Sequence, residues 1–202
     1  MTDTVAPLAP KVPLPVGSIG TRASGWWGAW FLVISEASIF AYLLFSYFYF
    51  SVQPSAGWPP QLPSFIYSGP QTAIILIGCV TATLANRAVD RDAFAATLLW
   101  LGGTILLCSG FIALQFIDWS DKPFAFASST YSSEYFVITG AHLAHVAVGW
   151  IMFVMLLIWT LMGYFGPIRH IPITVGMLYW YFLAALWVAI FFVLNITPYF
   201  FR

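Results

Sequence analysis

The chain has 202 residues, of which 61% are hydrophobic and only 7% charged, and its seven basic and seven acidic residues cancel. An ordinary soluble domain carries about 25% charged residues, and so few charges cannot cover a globule that hides this much apolar area. A soluble enzyme, a disordered regulator and a nucleic-acid binder, which needs a basic stripe, are excluded; the chain is an integral membrane protein.

Residues 1–25 carry Pro7, Pro10, Pro13 and Pro15 with Lys11 and Arg22. They lack the apolar core and small-residue cleavage site of a signal peptide, so they read as a flexible, Pro-rich cytoplasmic tail. Residues 26–202 then form one membrane domain. Five stretches, 27–50, 70–86, 93–117, 134–164 and 172–197, are apolar enough to cross a hydrocarbon core that needs about 20 residues. The Pro/Ser/Gly-rich loop 51–69 divides the first two, and the short connections Arg87–Asp92 and Gly166–His170 are charged. The runs are too long for barrel strands and lack alternation, and in lipid every backbone group must be satisfied internally. The expected fold is all-α, a polytopic membrane bundle of five transmembrane helices.

Lys11, Arg22, Arg87, Arg91 and Arg169 would lie on one side and Lys122 and Arg202 on the other. The basic excess puts the N-terminus in the cytoplasm and the C-terminus outside, in a bacterial-type inner membrane. Trp26, Trp27, Trp58, Trp119, Tyr199, Phe200 and Phe201 fall where an aromatic belt would.

Within the spans, Cys79 and Cys108 read as small buried hydrophobes. Glu36 lies about 14 Å along the first helix, where a carboxylate must be protonated or paired and faces a bundle interior. It is either a proton-active or lipid-contacting group, or a protonated, hydrogen-bonded packing residue. His142 and His145, at i and i+3, share one face of the fourth helix at about 12–17 Å from its outer end. The depths coincide, so Glu36 is expected to meet one of these histidines, with Ser35 or Thr139 as further partners. One helix cannot supply both axial ligands of a haem, and two His with one Glu fall short of a Zn or Cu set; no metal or cofactor site is expected in this chain. Gln115 would satisfy buried partners or sit at the interface. Gly102, Gly103 and Gly110 would permit close helix packing, and Asp118, Asp121 and Glu134 read as solvated outer-loop charges. A small transporter with Glu36 as coupling site would need a broken helix or a water-filled path at midplane depth, whereas these spans look continuous.

The string Ile138-Thr139-Gly140-Ala141-His142-Leu143-Ala144-His145-Val146 resembles the T-G-x-H-x-x-H-V signature of haem–copper oxidase subunit III. Tyr131-Ser132-Ser133-Glu134-Tyr135-Phe136 is similar to that family's lead-in, and Ser35-Glu36 looks like its membrane-embedded S-E. Trp58-Pro59-Pro60, Pro70 with Thr72, Leu101-Gly102 through Phe111 to Gln115, and Tyr179-Trp180 follow in the family's order, over about residues 25–195. The chain resembles the five-helix form, which lacks the first two helices of the longer one, so the lipid-filled cleft of the longer form would be open, lipid-lined or closed by another subunit. The family's Y-W-H-F-x-D appears here as Tyr179-Trp180-Tyr181-Phe182-Leu183-Ala184, so Tyr181 and Ala184 replace a histidine and an aspartate. Leu143 stands where the family has glycine.

The resemblance implies a non-redox subunit of a respiratory terminal oxidase that reduces O2 to water and translocates protons. Haem and copper would reside in partner subunits, with subunit I and subunit II as partners and phospholipid bound. The family's role is to stabilise the catalytic subunit, support proton uptake and protect against turnover inactivation. Glu36, His142 and His145 would be its matching intramembrane polar residues. A related accessory protein of nitric-oxide reductases shares the fold and is the alternative.

Overall fold

A computed structural model describes residues 24–53, 58, 62–167 and 169–200. The tail expected over residues 1–25 lies almost wholly outside the described residues, as do Pro59, Pro60, Phe201 and Arg202. The described chain forms five long helices, α1 (Ser24–Ser51), α2 (Phe65–Asp90), α3 (Phe94–Ser120), α4 (Thr130–Leu161) and α5 (Ile171–Phe191). Beyond α5 the chain continues as a π-helical turn, Phe192–Ile196, and a 3-10 turn, Thr197–Tyr199. Each helix is long and apolar enough to span a membrane, so this is an all-helical, multi-pass membrane fold.

Helices α2 to α5 close a four-membered ring in which each packs against its sequence neighbour and α5 returns to α2, while α1 lies along α4 and α5. Between lipid-facing helices the hydrophobic effect gives little net attraction, so shape and interhelical hydrogen bonds must hold the ring. Indole N–H groups supply several of these bonds. Trp187 donates to Thr72 (2.9 Å), Trp150 to Ser109 (2.9 Å), Trp119 to Thr139 (3.1 Å) and Trp180 to the Ile75 carbonyl (3.3 Å). Thr81 and Thr104 share a bond of 2.8 Å, and the Gln71 amide donates to Gln115 at 3.0 Å. Gln115 is therefore a buried interhelical partner. Trp119 packs inward against Phe136 instead of serving only as a belt residue.

The close approaches do not use the glycines expected. A Cβ on Gly102 would meet nothing within 4 Å, and on Gly103 and Gly110 it would meet only ordinary contacts at 4.0 and 3.9 Å. Gly78 and Gly176 are the crowded positions: an added Cβ would lie 2.7 Å from Trp180 Nε1 and 2.9 Å from Leu156 Cδ1 respectively. All are small residues in apolar helices; which face turns inward decides which of them matter.

Helix α2 begins five residues before the expected start and runs through Pro70. Pro70 lies in the second turn, so its missing N–H forfeits only the bond to the Ile66 carbonyl, and Ser64 caps the start by accepting from Ile66 N–H.

The two basic-end turns close alike. After α2, Asp92 N–H donates to Val89 and Ala93 N–H to Ala88; after α4, Gly163 N–H donates to Thr160 and Tyr164 N–H to Trp159. Both are Schellman closures, which need a left-handed residue, and that residue is Asp92 (φ 55°) in one and Gly163 (φ 74°) in the other. A Cβ costs about 1–2 kcal/mol in this region, less for Asp. Gly163→Ala should lower stability by about 1 kcal/mol and Asp92→Gly should not, as read from thermal unfolding of the purified chain in one detergent.

Candidate functional site

Glu36 is on the fourth turn of α1, and His145 is midway along the antiparallel α4. The Glu36 Oε2 to His145 Nε2 distance is 3.0 Å, so the pairing expected from depth is present. The two side chains are about one quarter exposed.

The proton inventory follows from the other imidazole nitrogen. His145 Nδ1 lies 2.7 Å from the carbonyl of Ala141, one turn back. A carbonyl only accepts, so Nδ1 must carry the hydrogen and donate. Nε2 is left to face the carboxyl group with one shared proton, as Glu–COOH to a neutral imidazole or as a carboxylate to an imidazolium. The net charge is zero in both, which is how a carboxyl group at this depth avoids the cost of an isolated ion. Phe40 presses on the His145 ring edge-on at 5.1 Å, and the Tyr179 hydroxyl donates to the His145 carbonyl at 3.3 Å.

The remaining residues of the expected site separate from this pair. His142 is fully buried, and its Nε2 donates to the Leu183 carbonyl of α5 at 3.1 Å; its ring packs among Phe40, Phe111 and Trp187. The i, i+3 offset of the histidines, 300° around the helix instead of a full turn, turns one toward α5 and the other toward α1. Ser35 donates to the Leu32 carbonyl of its own turn, and Thr139 donates to the Tyr135 carbonyl while accepting from Trp119. Neither hydroxyl joins Glu36, because each satisfies itself on its own helix. Both histidines lie on α4 and are already engaged, so they do not fit an axial haem pair. Among the described residues, no three His, Cys, Asp or Glu side chains converge as a metal site. Cys79 and Cys108 are free, Cys108 being buried.

Two acidic residues are not solvated as expected. Asp118 is 5% exposed; it accepts from the Tyr135 hydroxyl and pairs with Lys122 at 2.8 Å. Glu134 is half-buried and accepts from Ser46 of α1 at 2.9 Å. Asp121 is exposed, as expected. The signal for Asp118 was present in Lys122, four residues on along the helix path.

Glu134 therefore gives α1 a second polar tie to α4. The steps from Glu36 to Ser46 and from His145 to Glu134 are about 15 and 16 Å along the two axes, as antiparallel neighbours require. Apart from these ties α1 is loosely held, with only Phe40 and Tyr47 fully buried among its described residues. Its N-terminal half stands away from α4 and α5 around a cavity of about 410 Å³, walled by Leu32, Val33, Val148, Met152 and Val175, with Glu36 and His145 also on its wall.

The sequence profile of the family described as Cytochrome c oxidase subunit III matches residues 21–200. Among curated relatives, the Cytochrome c oxidase subunit 3 of Artemia franciscana is 31% identical over 166 residues, covering 80% of this chain and 64% of that protein. The proteins of the same name from Drosophila melanogaster (30% over 183 residues, 84% of this chain and 66% of that one) and Allomyces macrogynus (30% over 168 residues, 79% and 61%) are similar. The matched chain thus spans a little under two thirds of the length of these relatives. The profile runs through all five spans and includes both partners of the polar bridge, and the chain belongs to the cytochrome c oxidase subunit III family.

Proposed function

We propose that this chain is the non-redox subunit III of a respiratory haem–copper oxidase, and that its Glu36–His145 bridge is a structural tie that keeps the catalytic assembly competent during turnover. Haem and copper belong to the partner subunits I and II, where O2 is reduced to water and protons are translocated. The observation that carries the reading is the bridge itself, one neutral, single-proton pair joining a loosely packed α1 to the ring at the depth where an unpaired charge is costly. A group that holds one proton between two fixed partners stabilises its neighbours without carrying charge, and this supports the proton-uptake side of the oxidase indirectly. No proton-transfer step is assigned to it.

The 410 Å³ cavity beside the bridge has the apolar walls that a phospholipid acyl chain requires, and lipid is the occupant in this reading. The excess of basic residues on one side supports a cytoplasmic N-terminus and an outside C-terminus, and a bacterial-type inner membrane is the location in this reading.

The test is purification of the tagged chain from its native membrane in mild detergent, with optical spectrum and co-purifying subunits measured together. The expected result is a haem–copper oxidase core whose activity decays faster over successive turnovers when this chain is removed. A nitric-oxide reductase core, or a colourless chain without partners, would overturn the reading.

A further inference from the structure

At the end of the ring away from the basic turns, a cavity of about 180 Å³ opens between the start of α2, the α3–α4 loop and the π-helical turn after α5. Its inner end is a recess of about 10 Å³ at the mouth of the ring, and the two share Asp118, Lys122 and Asn195 as walls. Ser68 and Gln71 of α2 also line the recess. Asp118 is engaged already, by Tyr135 and Lys122. Gln71 is not: it is 1% exposed, its Nε2 donates to Gln115, and its Oε1 has no partner among the described residues. The Asn195 amide, set on the recess wall by the π-helical turn, makes no hydrogen bond among the described residues either. Ser68 reaches only the Ser64 carbonyl of its own helix end, at 3.5 Å. Polar groups around a buried space in a membrane bundle need partners.

These groups select the occupant. The charges of Asp118 and Lys122 cancel at 2.8 Å, so the recess does not call for an ion, and a cation would face the Lys122 ammonium. Gln71 offers an acceptor and the Asn195 amide offers both kinds of group, so the occupant must donate as well as accept. The recess has room for about one water molecule, and water does both. The wider cavity connects it to the outer surface, so exchange with bulk water has a route.

We propose that the recess is a water-binding site, in which one bound water joins Gln71 Oε1 to the Asn195 amide and so ties the π-helical end of α5 to α2. The C-terminal turn has one further polar link at this end, from the Tyr199 hydroxyl to the Pro63 carbonyl at 2.8 Å. The site also gives the irregular winding a purpose, because an i→i+5 turn rotates Asn195 away from the course of a continued α-helix. The inference is independent of the function proposed above.

The test uses the full chain, with whatever complex it forms, purified from its native membrane as wild type, Gln71→Met, Asn195→Leu and Tyr67→Phe. A cryo-EM map that resolves bound waters shows the occupant, and amide hydrogen exchange over Phe192–Ile196 reads the tie. The expected result is one water density in the wild-type recess, within hydrogen-bond distance of Gln71 and Asn195, that is lost in Gln71→Met and Asn195→Leu. Exchange in those two variants should be about fivefold faster, as for one lost hydrogen bond. Tyr67→Phe removes only the bond to Asp121 on the outer cavity, and it should leave density and exchange as in the wild type. If the two recess variants do not assemble, the wild-type map decides alone. An empty recess, an ion in place of water, or exchange unchanged in both recess variants would overturn the proposal.

Discussion

Glu36→Ala and His145→Ala should each loosen α1 and cost about 1–3 kcal/mol, the range for leaving a buried polar partner unsatisfied, whereas Glu36→Gln should stay within about 0.5 kcal/mol of the wild type. The difference follows from the tautomer. With His145 Nδ1–H committed to the Ala141 carbonyl, Nε2 of the neutral ring is an acceptor. The amide N–H of a Gln at position 36 donates to it at the same place, so the tie survives without a transferable proton. Ala removes the tie altogether, and α1 has little else to replace it, since Ser46–Glu134 is its other polar link to α4. Thermal unfolding of the purified chain measures the stability ordering, and activity over successive turnovers in the complex measures the functional one. A structural tie predicts that Gln behaves as wild type in both and that the two Ala variants fail in both. If Gln matched Ala in turnover while keeping full stability, the shared proton itself would be the functional element, and the structural role proposed for the bridge would be wrong.

The bridge was legible in the sequence because the membrane leaves a carboxyl group few options. Glu36 needed a partner at its own depth, and only one helix offered ionisable side chains there. Its choice of His145 over His142 was not legible, because three residues of separation set the two rings on different edges of the same face. The spans were legible from composition alone. The inward faces were not: helices apolar on every side carry no periodic contrast between lipid and protein, so Gly102 and Gly78 look alike until α5 is in place. Asp118 and Glu134 sit near helix ends, where a charge is stable either in water or in a hydrogen-bonded niche. Their burial depends on Tyr135, Lys122 and Ser46 arriving from the right direction.

Gly78→Ala should be the most disruptive of the small-residue substitutions, at about 1–3 kcal/mol or more for overpacking a close-packed interior. The added Cβ would stand 2.7 Å from Trp180 Nε1, 2.8 Å from its Cζ2 and 2.9 Å from its Cε2. The indole cannot yield: it is fully buried, its N–H is bonded to the Ile75 carbonyl three residues before Gly78, and Phe153 meets it from α4. Either α2 moves away from α5 or the indole gives up its bond. Gly176→Ala presents a similar distance, 2.9 Å, but to Leu156 Cδ1, the end of a side chain that can turn, so its cost should be smaller. Gly102→Ala meets nothing and should gain up to about 1 kcal/mol of helix propensity. Unfolding midpoints of the three variants in one detergent should therefore fall in the order Gly102→Ala, wild type, Gly176→Ala, Gly78→Ala. Trp180→Phe in the Gly78→Ala background should recover part of the loss, because residues in direct contact couple. Were Gly78→Ala as stable as Gly102→Ala, shape would not be what sets the spacing of α2 and α5, and the bonds of Trp187 to Thr72, of Thr174 to Asn86 and between Thr83 and Tyr181 would have to hold that spacing instead.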